Sequence, residues 1–343
     1  MRRMTPYKTA VTVLSAMMLL ITGCSPEKAE EHRSDLFAMD TYMELKVWCP
    51  DGERALSEAS ARITELENTF SVTIPESDIS RLNQAEGQPV EVSPDTSLVV
   101  QKGIEIGDAS RGALDISIYP VLQAWGFTSQ EKHVPTRETL QKELERVDYS
   151  RIRVEGNSVT IPSDMQIDLG ALAKGYTGDE VMRIFRDHGA RSAIVSLGGN
   201  VQALGTKPDG SRWKVGVVNP FTTSDNLGVL EIADQAVITS GNYERYFEEN
   251  GVRYWHIIDR KDGEPADNGL VSVTVVGSSG LECDALSTAL FVEGTEGAVS
   301  HWKRDRSFEM VLVTDDARIL LTEGLRDVFT NQSTMPIEVI EHE

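Results

Sequence analysis

Two short segments hold the residues best suited to chemistry. One reads Ile167-Asp168-Leu169-Gly170-Ala171-Leu172-Ala173-Lys174-Gly175-Tyr176, the other Cys283-Asp284-Ala285-Leu286-Ser287-Thr288-Ala289. Each sets acid, amine or hydroxyl groups inside an apolar stretch. Burying a charge is costly unless it is paired or bound to a metal. The pattern therefore points to a charged site in a core-like setting, as metal–phosphate chemistry requires.

Asp168 follows the strand-like Met165-Gln166-Ile167, and Gly170 and Gly175 bracket the start of a helix. A helix N-terminus offers free N–H groups to phosphate, and Lys174 adds a point charge. The order of residues is not that of a P-loop. A capped helix with a solvated lysine accounts for the same residues. Asp284 and Thr288 lie four apart on a predicted helix and share a face. A carboxylate with a hydroxyl suits a hard cation such as Mg²⁺, which completes its shell with phosphate and water. An Asp helix cap beside a core threonine is the alternative.

Other segments are less specific. Leu197-Gly198-Gly199-Asn200 ends a strand in a tight turn or a close backbone approach to a ligand. Thr239-Ser240-Gly241-Asn242-Tyr243 follows a strand and forms either a plain turn or an anion nest. His256, within Tyr254-Trp255-His256-Ile257-Ile258-Asp259, titrates in a range that suits a general base, although a lone histidine there also fits a core or surface role. Trp125 and Phe127 read as core aromatics, and Cys283 as a small buried hydrophobe.

The elements that must position these groups follow from periodicity. Leu56, Ala59, Ile63, Leu66 and Phe70 give an amphipathic helix over 53–70. Further helices are expected at 97–109, 135–147, 174–188, 284–292 and 296–304. Strands are expected at 36–47, 192–197, 213–218, 229–232, 237–239, 254–258 and 271–276. Hairpins are expected over 151–161, around Gly156-Asn157, and over 309–322, around Asp315-Asp316. Many strands follow one another directly and helices come in groups, so the fold class is α+β with largely antiparallel sheets.

The 343 residues are 40% hydrophobic and 25% charged, enough for a normal core, with a net charge of −21. That acidity argues against nucleic acid as a partner. Arg2, Arg3 and Lys8 precede an apolar run from Val11 to Ile21, which reads as a signal peptide over 1–23. Ile21-Thr22-Gly23-Cys24 resembles a bacterial lipoprotein box, which implies lipid on Cys24 and a membrane anchor on the extracytoplasmic face. Residues 24–34 are polar and read as a tether to a domain over 35–343.

Taken together, the segments resemble the ApbE family of flavin transferases. The resemblance rests on Met39-Asp40-Thr41, Leu114-Asp115-Ile116-Ser117 through Trp125-Gly126-Phe127, and Ile167-Asp168-Leu169-Gly170 through Lys174-Gly175-Tyr176. Gly198-Gly199-Asn200, Thr239-Ser240-Gly241, His256-Ile257-Ile258-Asp259 and Asp284-Ala285-Leu286-Ser287-Thr288 complete it. It implies an ApbE-like (T-fold-like) domain that cleaves FAD with Mg²⁺ and moves FMN onto a threonine of an exported or membrane flavoprotein, leaving AMP. It further implies that Asp284, Thr288 and the Ala171 carbonyl hold the metal. Met39, Ala113, Leu114, Asp115, Asp168, Lys174 and Ile258 become FAD contacts. His256 becomes the candidate base and Asp284 the second catalytic residue. An exported FAD pyrophosphatase and a non-catalytic flavin-binding lipoprotein are the alternative readings. One departure stands out: Thr73 occupies a place where the family often carries an aromatic residue.

Overall fold

The computed structural model describes residues 30–129 and 131–342. The expected signal peptide and Cys24 lie outside them. Nine strands form the main sheet. In spatial order they are Glu31–Ala38, Thr41–Trp48, Ser192–Leu197, Asn200–Gly205, Ala236–Gly241, Leu270–Gly277, Phe308–Thr314, Ile319–Thr322 and Ile337–Ile340. Every pairing is antiparallel except the last. The fold is thus α+β, as the run of adjacent strands predicts.

Side chains alternate between the two faces of the sheet. Ile238, Val273 and Val275 pack on one face against Leu286, Leu290 and Phe291 of helix Gly280–Arg304. Val237, Val276, Val311 and Val313 pack on the other, against a small sheet that includes Trp213–Val218 and Asn226–Ile232. Helices Gly52–Phe70 and Ala173–Asp187 join the first layer through Leu56, Ala59 and Ile63 packed with Val181, Ile184 and Phe185. Cys283 is buried, as expected.

Several local expectations need correction. The tether does not extend to residue 34, because strand Glu31–Ala38 has already begun. Its polar residues alternate with half-buried ones on an edge strand, so low apolar content hid it. The single strand expected over 36–47 is a hairpin that turns at Met39 and Asp40. The helix that carries Asp284 starts at Gly280, with Ser279 as its cap, so Asp284 is not a helix cap. Gly294 interrupts that helix at φ 73°, where two helices are expected. The strand expected over 254–258 ends at Trp255.

Candidate active site

The amino ends of helices Ala173–Asp187 and Gly280–Arg304 meet the tips of two hairpins around a cavity of about 1140 Å³. The hairpin tips are Met39-Asp40 and Gly198-Gly199. Met39 and Asp40 have φ 50° and 57°, a turn conformation that favours Gly or Asn. The Met39 N–H donates to Glu67 Oε1 at 2.6 Å, which helps hold this turn. Gly198 lies so close to Thr41 that a Cβ there would sit 2.2 Å from the threonine hydroxyl.

Every site residue expected from the sequence and described here lines this one cavity. Asp168, Ala171 and Lys174 come from the first segment, Asp284 and Thr288 from the second. Met39, then Ala113, Leu114 and Asp115, then His256 and Ile258 complete the set. Thr73 lies outside the lining, bonded to Ser71.

Asp284 is 5% exposed, and its Oδ2 accepts the Gly175 N–H at 2.8 Å. Burial raises its pKa, opposed by the charge on Lys174 and by the Gly175 N–H. Gly175 is the third residue of helix Ala173–Asp187, so its N–H is one of the first-turn donors that have no partner within the helix. Here it turns to the carboxylate, and no described residue donates to the Ala171 carbonyl. Close helix approach makes this possible. A Cβ on Gly175 would lie 2.2 Å from the Gly280 carbonyl oxygen. Gln202 Nε2 ties the joint by donating to the Gly175 carbonyl at 2.9 Å. Asp179 then accepts from the Gly280 and Leu281 N–H groups at 2.7 and 2.9 Å, capping the second helix from the first.

Thr288 Oγ1 lies 3.3 Å from Ser240 Oγ, which is 2.8 Å from Ser287 Oγ. Thr239 and Ser240 are in a strand that runs through Gly241, so the turn or nest expected there begins later. Both residues line the cavity from the sheet.

Lys174 forms no ion pair within 4.0 Å among the described residues. Its charge instead favours the ionised forms of Asp168, Asp284 and Glu244. Asp168 is raised by burial and held down by the Gly170 N–H, which donates to Oδ1 at 2.6 Å.

His256 Nδ1 lies 3.2 Å from the Arg245 carbonyl oxygen. A carbonyl cannot donate, so Nδ1 carries the hydrogen and Nε2 keeps its lone pair in the neutral ring. Burial, with the charges of Arg245 and Lys174, lowers the pKa to about 3. The ring is therefore held neutral in the ligand-free cavity, with Nε2 as a hydrogen-bond acceptor.

Asp115 is fully engaged by protein. Its Oδ1 accepts from the Ser117 N–H and hydroxyl at 2.9 and 2.6 Å, and Oδ2 lies 2.8 Å from Arg260 Nη1. Arg260 lines the cavity beside it.

Among the cavity residues that escape sequence reading are Glu244, Arg245, Phe247 and Arg260. Arg245 has no acidic partner within 4.0 Å among the described residues, though it donates to the Phe127 carbonyl at 3.4 Å. Glu244 lines the cavity, and burial with the nearby Asp284 charge lifts it to about 7. An arginine and a glutamate side by side in an acidic chain carry no spacing signal that could have singled them out.

No group of three or more His, Cys, Asp or Glu side chains able to hold a metal exists among the described residues. A cation here would rely on one buried carboxylate, one hydroxyl and one main-chain carbonyl. Such a sparse, all-oxygen set fits Mg²⁺, which keeps several waters and takes further oxygens from substrate phosphates. The Ala171 carbonyl, to which no described residue donates, and the buried Asp284 carboxylate are the features a cation would satisfy. Nδ2 of Asn200, beside the same carboxylate, makes no hydrogen bond of good geometry.

Comparison with known proteins shows the family and the fold. The sequence matches the ApbE family over residues 39–312. It is 32% identical over 314 residues to an FAD:protein FMN transferase of Vibrio cholerae, covering 89% of this chain and 94% of that one. The fold resembles the crystal structure of the ApbE protein of Thermotoga maritima with a TM-score of 0.82 at 28% identity, covering 87% of this chain and 99% of that one. It resembles the flavin transferase ApbE of Vibrio cholerae with a TM-score of 0.79 at 27% identity, covering 88% and 99%.

Proposed function

The chain belongs to the ApbE family and is a transferase, an FAD:protein FMN transferase like its relatives, and we propose the course of its reaction. It binds FAD in the cavity with Mg²⁺ and joins FMN through a phosphoester to a threonine of an acceptor flavoprotein, releasing AMP. The threonine oxygen attacks the FMN phosphorus and the bridging P–O bond breaks. AMP leaves with the bridging oxygen.

The observation that carries this reading is the convergence of Asp284, Thr288 and the unpartnered Ala171 carbonyl on one cavity. A divalent ion held there would neutralise charge on the diphosphate and on the departing AMP. Lys174 supplies a fixed positive charge beside the same phosphates, and positioning with electrostatics does most of the work in such transfers. His256 accepts the threonine proton at Nε2 while the Arg245 carbonyl fixes its tautomer. Arg260, braced by Asp115, and the apolar Ala113, Leu114 and Ile258 hold other parts of FAD.

The same reading places the domain on the extracytoplasmic side of a membrane, anchored by lipid on Cys24. No helix among the described residues is long and apolar enough to cross a bilayer. Replacing Cys24 by Ser should release the protein from the membrane fraction.

The test of the reaction is incubation with FAD, Mg²⁺ and a purified acceptor domain, repeated with EDTA. Transfer predicts covalent fluorescent flavin on the acceptor and equimolar AMP by mass spectrometry, both lost in EDTA. FMN and AMP without labelling would assign a pyrophosphatase. Bound FAD with no AMP under any metal condition would assign a binding protein.

A further inference from the structure

We propose that the acceptor protein docks on the outer edge of the first hairpin, anchored by Phe37 and Tyr42. The proposal rests on the transfer reading, which requires a protein substrate to bring a hydroxyl to the cavity. Phe37 is 73% exposed and Tyr42 58%, the two most exposed large hydrophobic side chains described. They face each other across strands Glu31–Ala38 and Thr41–Trp48. Between them runs the turn whose Met39, Asp40 and Thr41 line the cavity, with Asp40 exposed at its rim. The aromatic pair thus stands at the lip of the reaction site.

Alternation along the strands defines the surface. Ala38, Met43, Leu45 and Val47 point into the helical layer, which sends Phe37 and Tyr42 to the opposite face. On that face Trp48 is covered by Trp213, with ring centroids 5.5 Å apart, while Phe37 and Tyr42 have no such cover. The edge itself is also available. In a two-residue hairpin Ala38 and Thr41 form the hydrogen-bonded pair, so Phe37 and Tyr42 form a non-hydrogen-bonded pair. The main-chain groups of Phe37, Asp35 and Arg33 therefore point away from the partner strand. Among the described residues no strand pairs with that side. An extended acceptor segment can add there as a strand, with an apolar side chain against Phe37 and Tyr42.

A protein segment fits this position better than a membrane. Strand rise places Phe37 about 20 Å from Glu31. A lipid anchor on Cys24 would join the domain at Glu31, the end of the strand away from the aromatic pair, which lies at the cavity end.

The double variant Phe37→Ser with Tyr42→Thr, in the full chain, tests the proposal with FAD, Mg²⁺ and an acceptor domain that the unmodified protein labels. Neither residue lines the cavity. The expected result is a rise of about tenfold in KM for the acceptor domain, the size of a lost interface anchor. The kcat at saturating acceptor and the Kd for FAD should hold, and Phe37→Tyr with Tyr42→Phe should restore KM. A benzophenone side chain placed at Phe37 should crosslink to the acceptor domain. Unchanged KM, or crosslinking only to phosphatidylethanolamine–phosphatidylglycerol vesicles or to a second copy, overturns the docking site and leaves the transfer reading intact. An unmodified protein that labels no acceptor overturns both.

Discussion

The Gly175 main chain donates a hydrogen bond to the Asp284 carboxylate at 2.8 Å, joining residues 109 apart in sequence. This bond does two things at once. It fixes a buried carboxylate in the cavity wall, and it satisfies a first-turn N–H of helix Ala173–Asp187. Asp284 and Ala171 both line that cavity.

Replacing Gly175 by Ala should break this joint. The new methyl would sit 2.2 Å from the Gly280 carbonyl oxygen and 2.6 Å from Asp284 Cβ, both on a helix that cannot yield locally. Overpacking of that kind costs about 1–3 kcal/mol. Thermal melting should show that loss, and flavin transfer should fall further than the remaining folded fraction explains.

His256→Ala should separate binding from chemistry. The ring is neutral in the free protein and reaches the chain only through Arg245 and aromatic neighbours such as Phe127. Removing the base should lower acceptor labelling by about 10²-fold or more. FAD affinity, read by quenching of flavin fluorescence, should change little.

Glu244 gives a pH dependence with a defined sign. Its pKa is raised from 4.5 to about 7 in the folded protein. The folded state therefore binds more protons than the unfolded state between those values, and stability falls as pH rises through that window. Without ligand or metal, the melting temperature should decline from pH 4.5 to 7 more steeply in the native protein than in Glu244→Gln. A variant with an unchanged slope would remove Glu244 as the cause.

Asp115→Ala should destabilise the wall that carries Arg260. The substitution strands the Ser117 and Tyr149 N–H groups and leaves Arg260 without its 2.8 Å partner. Arg260 is partly in water, so the cost should be about 2–3 kcal/mol, below that of a fully buried pair. FAD affinity should weaken alongside, while His256-dependent steps at bound FAD persist.

Much of this was legible in the sequence because it follows from spacing. Leu56, Ala59, Ile63 and Leu66 mark a helix face, and they are among the buried residues of helix Gly52–Phe70. Strands Ser192–Leu197 and Trp213–Val218 fall where alternation places them. Gly294 splits the last long helix as its conformational freedom suggests. Strand Asn200–Gly205 was missed because Gly198-Gly199 was read as an ending, although it is a hairpin turn into a further strand. Asp168, Lys174, Asp284 and Thr288 could be singled out as charged or polar groups in apolar settings. The Ala171 carbonyl was reached through resemblance alone, since main-chain atoms leave no trace in side-chain patterns. Glu244, Arg245 and Arg260 depend on tertiary folding of loops, which local periodicity does not encode.

The most direct measurement of the central claim uses Mn²⁺ in place of Mg²⁺ and the phosphorus resonances of bound FAD. If Asp284, Thr288 and the Ala171 carbonyl hold a cation against the diphosphate, Mn²⁺ should broaden both resonances in the native protein. Asp284→Asn keeps the acceptor for the Gly175 N–H and removes the charge. In that variant the broadening should vanish and transfer should drop by about 10²-fold or more. Broadening and turnover that survive Asp284→Asn unchanged would contradict the account.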